Sequence, residues 1–339
     1  MIEICVIGAG KIFQLYHLKS INLIDSIKIK HVVDKNFELA KRVASDVGAI
    51  PHENLDEKID CENFFITVPP KFRVQVFDNI KDYAKNIIFE KPVTLTYAEA
   101  QYISNISREK GINILVAQTR RFFPNLDFTK KLLVKRSLKK VKIKATEGAL
   151  FNWASESDYF NNQNPNDHGI FHDVGSHILD YVIYLIEAVS DIEKFKFEVV
   201  KSVFDFNQNA NNTYSNVKIF NNDIEFEIEV RLSRSSNLSN MITISDEHFS
   251  YLTRSLMARE VKLLLPNQII AIPIPELKPS FDLDDVFFNM WLDIENVLQT
   301  KSTDNSKITL KSILHTSRLM QEIINEMIID KNLQETYYE

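Results

Sequence analysis

The tripeptide Glu90-Lys91-Pro92 closes the apolar run Asn86-Ile87-Ile88-Phe89. A lysine at the carboxyl end of a buried parallel strand faces the crevice where open α/β sheets bind ligands. Its ammonium could there stabilise negative charge developing on an oxygen. The proline behind it stiffens the backbone and suits a cis bond. Later in the chain, Asp173 and His177 stand i, i+4 within the apolar segment Phe171–Glu187, which puts them on one face of a helix. A carboxylate one turn from an imidazole sets its tautomer and raises its basicity, so His177 is a candidate general acid/base. The same pattern also suits a capping aspartate beside a half-buried structural histidine. Asp180 shares that side of the helix. His168, His172 and His177 raise the question of a metal. The i, i+5 pair His172 and His177 falls about 140° apart on an ideal helix. No second carboxylate–histidine cluster accompanies them, and no metal site is expected.

These groups need a scaffold, and the first third of the chain spells one. Ile4–Ile7 is a short apolar run ending at Gly8-Ala9-Gly10, with a helical segment from Lys11 to about Asn22 and a second strand over Ile29–Val33. This is a βαβ unit with its glycine turn in place. Two glycines let the backbone approach a pyrophosphate, and the following helix start, with Lys11 and Ile12, offers N–H donors and a favourable dipole. Asp34 follows at about the ~20 residues expected for a carboxylate on the ribose diol, which favours NAD(H) over NADP(H). Phe13 stands where the third glycine of the fingerprint would be. A phosphate-free Rossmann-like unit is the alternative. Further strands at Asn63–Val68, Ile87–Phe89 and Ile112–Val116 alternate with helices after Pro69-Pro70 and after Thr96, where Thr96 and Glu99 have capping-box spacing. The pattern predicts a parallel, doubly wound sheet whose carboxyl edge carries Gly8, Gly10, Asp34, Thr67, Pro69 and Lys91.

Past Phe123-Pro124 the pattern changes. Val141–Ala149, Lys194–Phe206, Tyr214–Phe220, Ile224–Leu232, Met241–Ile244 and Val261–Ile272 alternate as strands do, with short connections suited to hairpins. We expect a Rossmann domain over 1–120 and an α+β domain over 121–339 with a large, mainly antiparallel open sheet. One sheet face carries Phe204, Phe206, Ile219, Phe226 and Ile228, enough to bind a second subunit unless the chain's own helices cover it.

Composition sets outer bounds. The 339 residues favour two domains, and 45% hydrophobic with 25% charged residues is that of a soluble globular protein. A net charge of -6 leaves no basic footprint for nucleic acid. No run approaches the ~20 apolar residues of a membrane span. The amino terminus reads as a strand rather than a signal peptide, and the two cysteines, Cys5 and Cys61, sit in apolar surroundings. Free thiols and a cytoplasmic location are expected.

Taken in order, Gly8-Ala9-Gly10, Thr67-Val68-Pro69-Pro70, Glu90-Lys91-Pro92, Arg120-Arg121-Phe122 and Asp173-Val174-Gly175-Ser176-His177-Ile178-Leu179-Asp180 resemble the motifs of the Gfo/Idh/MocA oxidoreductases. The resemblance covers nearly the whole chain. It implies an NAD(P)-dependent dehydrogenase or reductase that moves a hydride between nicotinamide and a secondary alcohol or ketone of a sugar, nucleotide sugar or cyclitol. It implies catalytic roles for Lys91, Asp173 and His177, cofactor contacts from Glu90, Lys91 and Arg121 besides the strand-end residues above, and a homodimer or homotetramer formed through the second sheet. The segment 151–160 resembles a variable substrate loop, so Trp153, Tyr159 and His168 join Asp173 and His177 as substrate candidates. Asp167-His168-Gly169 replaces the glycines common before the last motif, and Thr119 replaces an asparagine common before the arginines. A non-catalytic NAD(P)-binding sensor, an imine reductase and an NAD-dependent lyase are other uses of the same fold.

Overall fold

A computed structural model describes residues 1–55, 59–134, 138–148, 169–207, 210–234, 236–274, 283–330 and 333. The chain forms two units: Met1–Thr119 with Asp282–Leu314, and Arg120–Phe281 with His315–Glu339.

The first unit is built on six parallel strands, β1 (Ile2–Ile7), β2 (Ile27–Val33), β3 (Ile50–His52), β4 (Asn63–Ile66), β5 (Asn86–Glu90) and β6 (Asn113–Ala117), in the order β3-β2-β1-β4-β5-β6. The order reverses between β1 and β4, and a ligand crevice is expected at the carboxyl ends of that switch point. Strands β1, β4 and β5 are almost wholly buried because helices cover both faces. The helices include α1 (Leu18–Ile21), α2 (Phe37–Val47), α3 (Arg73–Ile80) and α4 (Tyr97–Lys110). Asn36 caps α2, and Thr96 with Glu99 forms the capping box expected at the start of α4. Short β3 was not legible from the sequence. It is an edge strand containing Pro51, where a missing N–H costs no ladder bond.

The late segment 282–314 belongs to this unit through specific bonds. Helix α7 (Leu283–Thr300) carries Trp291 into the core, and Lys19 pairs with Asp284 at 3.4 Å. Beyond it, Ile308 accepts the Val116 N–H at 2.8 Å along the free edge of β6.

The second unit holds a nine-stranded mixed sheet. Its strands are β7 (Lys140–Gly148), β8 (Lys196–Asn207), β9 (Ala210–Phe220), β10 (Glu225–Ser233), β11 (Met241–Ser245), β12 (Ser250–Arg254), β13 (Glu260–Leu265), β14 (Gln268–Pro273) and β15 (Ile328–Ile329). Their order is β14-β13-β12-β11-β7-β10-β9-β8-β15, antiparallel except at β7/β10 and β8/β15. Helices α5 (Pro124–Val134) and α6 (Ser176–Val189) pack together. Helix α8 (Leu310–Asn325) closes the helical set.

Of the two readings of the apolar sheet residues, cover by the chain itself holds for the four whose side chains are described. Phe204, Ile219, Phe226 and Ile228 are each no more than 2% exposed within the single chain. The opposite side of β10 is charged instead: Lys142 pairs with Glu227 at 2.8 Å and Arg231 with Glu229 at 3.0 Å. Strict alternation along β10 sends one set inward and the other out. Phe206 has no described side chain. No helix among the described residues is long and apolar enough to cross a membrane.

Candidate active site

In the first unit, β1 delivers Gly8 into the switch-point crevice. Its N–H donates to Val33 O at 2.8 Å and its φ is +101°, a left-handed conformation that glycine adopts without steric penalty. A Cβ there would lie 2.7 Å from Thr67 Oγ1 and 2.9 Å from the Val68 nitrogen. Gly8 is therefore required by the close approach of two strand ends. The Thr67 hydroxyl donates to Gly8 O, binding the two loops together. Beside Gly10 the space is open: apart from its chain neighbours, no described atom lies within 4 Å of where its Cβ would stand.

Asp34 is held at the end of β2. Its Oδ2 accepts the Ala9 N–H and its Oδ1 the Asn36 N–H, each at 2.8 Å. A carboxylate offers about four acceptor positions, so these bonds orient it while leaving capacity for hydroxyl donors. Open space at Gly10, a glycine backbone at the switch point and an oriented carboxylate fit a dinucleotide. Lys11 and Ile12 are half-buried at the start of the helix that follows. That helix carries a π turn over Phe13–His17. Such turns are uncommon and gather at functional sites.

Lys91 lies half-buried at the end of β5, and its bond to Pro92 is cis. Its neighbour Glu90, expected to face a cofactor, directs its carboxylate to His17, with Oε1 3.0 Å from Nε2. Trp291 Nε1 donates to His17 Nδ1 at 3.0 Å. An indole N–H can only donate, so Nδ1 accepts and the ring proton sits on Nε2, pointing at Glu90. Arg73 is also buried here, with Nε donating to Val68 O at 2.8 Å and Nη1 to the carbonyls of Glu90 and Pro92.

In the second unit, Asp173 lies in another π turn, Phe171–Gly175, and His177 is half-buried in the first turn of α6. Within a π turn the amide reaches five residues back rather than four. The i, i+4 spacing of Asp173 and His177 and the i, i+5 spacing of His172 and His177 thus lose their ideal-helix meaning here. Asp173 Oδ2 accepts from Arg234 Nη2 at 2.8 Å. Gly175 is tightly packed, since a Cβ would meet the Phe171 ring at 3.1 Å.

Arg121, expected as a cofactor contact, is fully buried in this unit. Its Nε and Nη2 donate to the two oxygens of Asp180 at 2.8 and 2.6 Å. The Thr316 hydroxyl donates to Asp180 Oδ1 at 3.0 Å. The guanidinium is thus paired with a buried carboxylate. Arg120 likewise makes a two-pronged pair with Glu147, both bonds 2.7 Å. Trp153, Tyr159 and His168 lie outside the described residues.

Residues 2–118 match the model of an oxidoreductase family with an NAD-binding Rossmann fold, GFO_IDH_MocA. The amino-terminal domain belongs to the Gfo/Idh/MocA family. A scyllo-inositol 2-dehydrogenase (NADP(+)) of Bacillus subtilis is 22% identical over 185 residues, 54% of this chain and 51% of that protein. A 4-carboxy-2-hydroxymuconate-6-semialdehyde dehydrogenase of Sphingobium is 24% identical over 196 residues, covering 54% and 58%. The chain's match thus spans about half the length of these curated relatives. Among solved structures, a 3-ketoreductase from Actinomadura kijaniata in complex with NADP and TDP-benzene superposes with a TM-score of 0.77 at 13% identity, covering 97% of this chain and 98% of that one. An Agrobacterium radiobacter oxidoreductase in complex with NAD+, L-tartaric acid and magnesium gives 0.74 at 12%, covering 96% of each. At such identities the likeness is one of fold alone.

Four residues around these motifs are not evident from the sequence pattern: His17, Arg73, Trp291 and Arg234. His17 carried a signal, a lone histidine on the apolar side of the first helix near Phe13. Arg73 carried a weaker one, an arginine among the apolar residues of α3. Trp291 and Arg234 meet their partners only through long-range folding, and local pattern does not reveal that.

Proposed function

We propose that this protein is an NAD(P)-dependent oxidoreductase acting on a secondary alcohol or ketone of a small polyol, sugar or nucleotide sugar, with NAD(H) favoured. The observation that carries the reading is the oriented carboxylate of Asp34 beside the Gly8 turn. A carboxylate there accepts from ribose hydroxyls and repels a 2′-phosphate. Gly8, Gly10, Lys11, Ile12, Thr67 and Pro69 complete the proposed cofactor contacts. Bound nicotinamide would supply the hydride chemistry.

The chain's own residues do the rest in this reading. The Lys91 ammonium stabilises the oxyanion that develops at the reacting carbon. His177 holds or releases the hydroxyl proton. Asp173, which accepts from Arg234 at 2.8 Å, tunes this lysine–histidine pair. The reported relatives, one named for a cyclitol and one solved with a TDP derivative, support the choice of substrate class without fixing it.

The test is turnover by the purified protein on cyclitols, aldoses and nucleotide sugars with either cofactor, followed at the NADH absorbance. Lys91→Ala is expected to keep NADH binding, read by fluorescence, and to lose about 10²–10⁴-fold in rate. Near wild-type turnover in that variant overturns the role of Lys91. A cofactor site that is free after purification, with no turnover on any alcohol or carbonyl, favours a sensor.

A further inference from the structure

Arg73 opens α3 and is 2% exposed. Its Nε donates to Val68 O at 2.8 Å, and its Nη1 donates to the carbonyls of Glu90 and Pro92. Val68 belongs to the loop after β4, where Thr67 and Pro69 stand as cofactor contacts. Glu90 and Pro92 are the two residues flanking Lys91. One planar cation therefore spans the ends of two adjacent strands and grips the backbone on both sides of the lysine. The Glu90 side chain is held as well, through His17 Nε2 at 3.0 Å. Backbone this constrained leaves the half-buried Lys91 side chain a narrow range of origins.

We propose that Arg73 is a positioning residue for Lys91, and that it sets the register of the lysine against the Thr67–Pro69 loop. The functional weight of this rests on the reading of Lys91 as the polarising lysine. The chemistry of the clamp asks specifically for arginine. A guanidinium presents five donors in a fixed fork, whereas a lysine ammonium is a point charge on a flexible stem. Charge alone would be restored by Arg73→Lys, and geometry would not. Phe77, fully buried in the same helix, provides a control for loosening of α3 that leaves the fork intact.

The experiment needs no substrate. Wild type, Arg73→Lys, Arg73→Met and Phe77→Leu are labelled with trace acetic anhydride, with and without NADH, and Lys91 acetylation is compared with that of exposed Lys85 by mass spectrometry. Both arginine variants are expected to change the Lys91-to-Lys85 ratio severalfold, and Phe77→Leu to leave it unchanged. Where a substrate turns over, Arg73→Lys is expected to lower kcat by about 10²-fold with little change in KM, as for a reacting group displaced by about an ångström. An unchanged ratio in both arginine variants, or an equal change in Phe77→Leu, overturns the proposal. If Arg73→Met does not fold, Arg73→Lys decides alone. Failure of both to fold also overturns it, because the arginine then serves the core rather than the lysine. If the ratio shifts while Lys91→Ala keeps its turnover, the clamp stands and the catalytic reading falls.

Discussion

His17 Nε2 lies 3.0 Å from Glu90 Oε1, and both side chains are almost completely buried. The imidazole is fixed from the far side by Trp291, which donates to Nδ1 at 3.0 Å. A histidine on the glycine-loop helix thus reaches the strand end that presents Lys91, held in one tautomer by a residue of α7. His17→Ala strands a buried carboxylate and an indole N–H. Its expected cost is about 1–3 kcal/mol of unfolding free energy for each stranded group, measured by urea denaturation. Trp291→Phe keeps the ring bulk and loses the donor, for about 1–3 kcal/mol. Equal stability of His17→Ala and wild type would mean that the triad is not formed.

Asp34 is oriented through both carboxylate oxygens, by the amides of Ala9 and Asn36. Asp34→Asn keeps an acceptor and removes the charge. Like charges a few ångströms apart repel by about 1–4 kcal/mol in a partly solvated crevice. The variant is therefore expected to narrow any preference for NADH over NADPH by about tenfold or more, read as the ratio of dissociation constants in fluorescence titrations. An unchanged ratio would mean that Asp34 does not face the ribose.

Much of the first unit was legible because its signals are local. Gly8-Ala9-Gly10 between an apolar run and a helix, then Asp34, reports a βαβ unit directly, and the capping box at Thr96 and Glu99 marks its helix without ambiguity. What was not legible depends on contacts far apart in sequence. Nothing near Trp291 announces that it will meet His17. Both π turns, at Phe13–His17 and Phe171–Gly175, change the side-chain period by one residue, so face arguments built on an α-helix drift there. Along β10 the alternation marks a strand, yet period alone cannot say that Phe226 and Ile228 are covered by the same chain.

Burial pushes the Glu187 carboxyl up from 4.5 to about 7, with Asp180 adding to the effect and Arg121 opposing it. The folded protein then holds a proton that the unfolded chain releases between pH 4.5 and about 7. Stability consequently falls as pH rises through that window, and above it the full penalty applies. The upper bound is about 3 kcal/mol for a shift of this size. Glu187→Gln removes the penalty. It is expected to raise the unfolding free energy in alkaline buffer by roughly 1–3 kcal/mol and to change it little at acid pH, where both states are protonated. A gain that is the same at both ends of the range would contradict the raised carboxyl.

Arg121 and Asp180 distinguish a structural arginine from a cofactor contact. The guanidinium is fully buried, doubly bonded to Asp180 and stacked 4.9 Å over the Tyr184 ring. Arg121→Ala leaves Asp180 buried without its countercharge, which typically costs about 3–5 kcal/mol. Replacing both partners together, as Arg121→Met with Asp180→Leu, removes the charges in one step and is expected to recover most of that loss. Thr316→Val, which deletes only the third bond to Asp180, should cost about 1 kcal/mol. The decisive measurement is NADH affinity in the double variant. A buried structural pair predicts an unchanged dissociation constant, because the positive charge never reaches the cofactor. A loss of about tenfold or more, equivalent to ~1.4 kcal/mol, would restore Arg121 to the cofactor contacts that the Arg120-Arg121-Phe122 motif suggests.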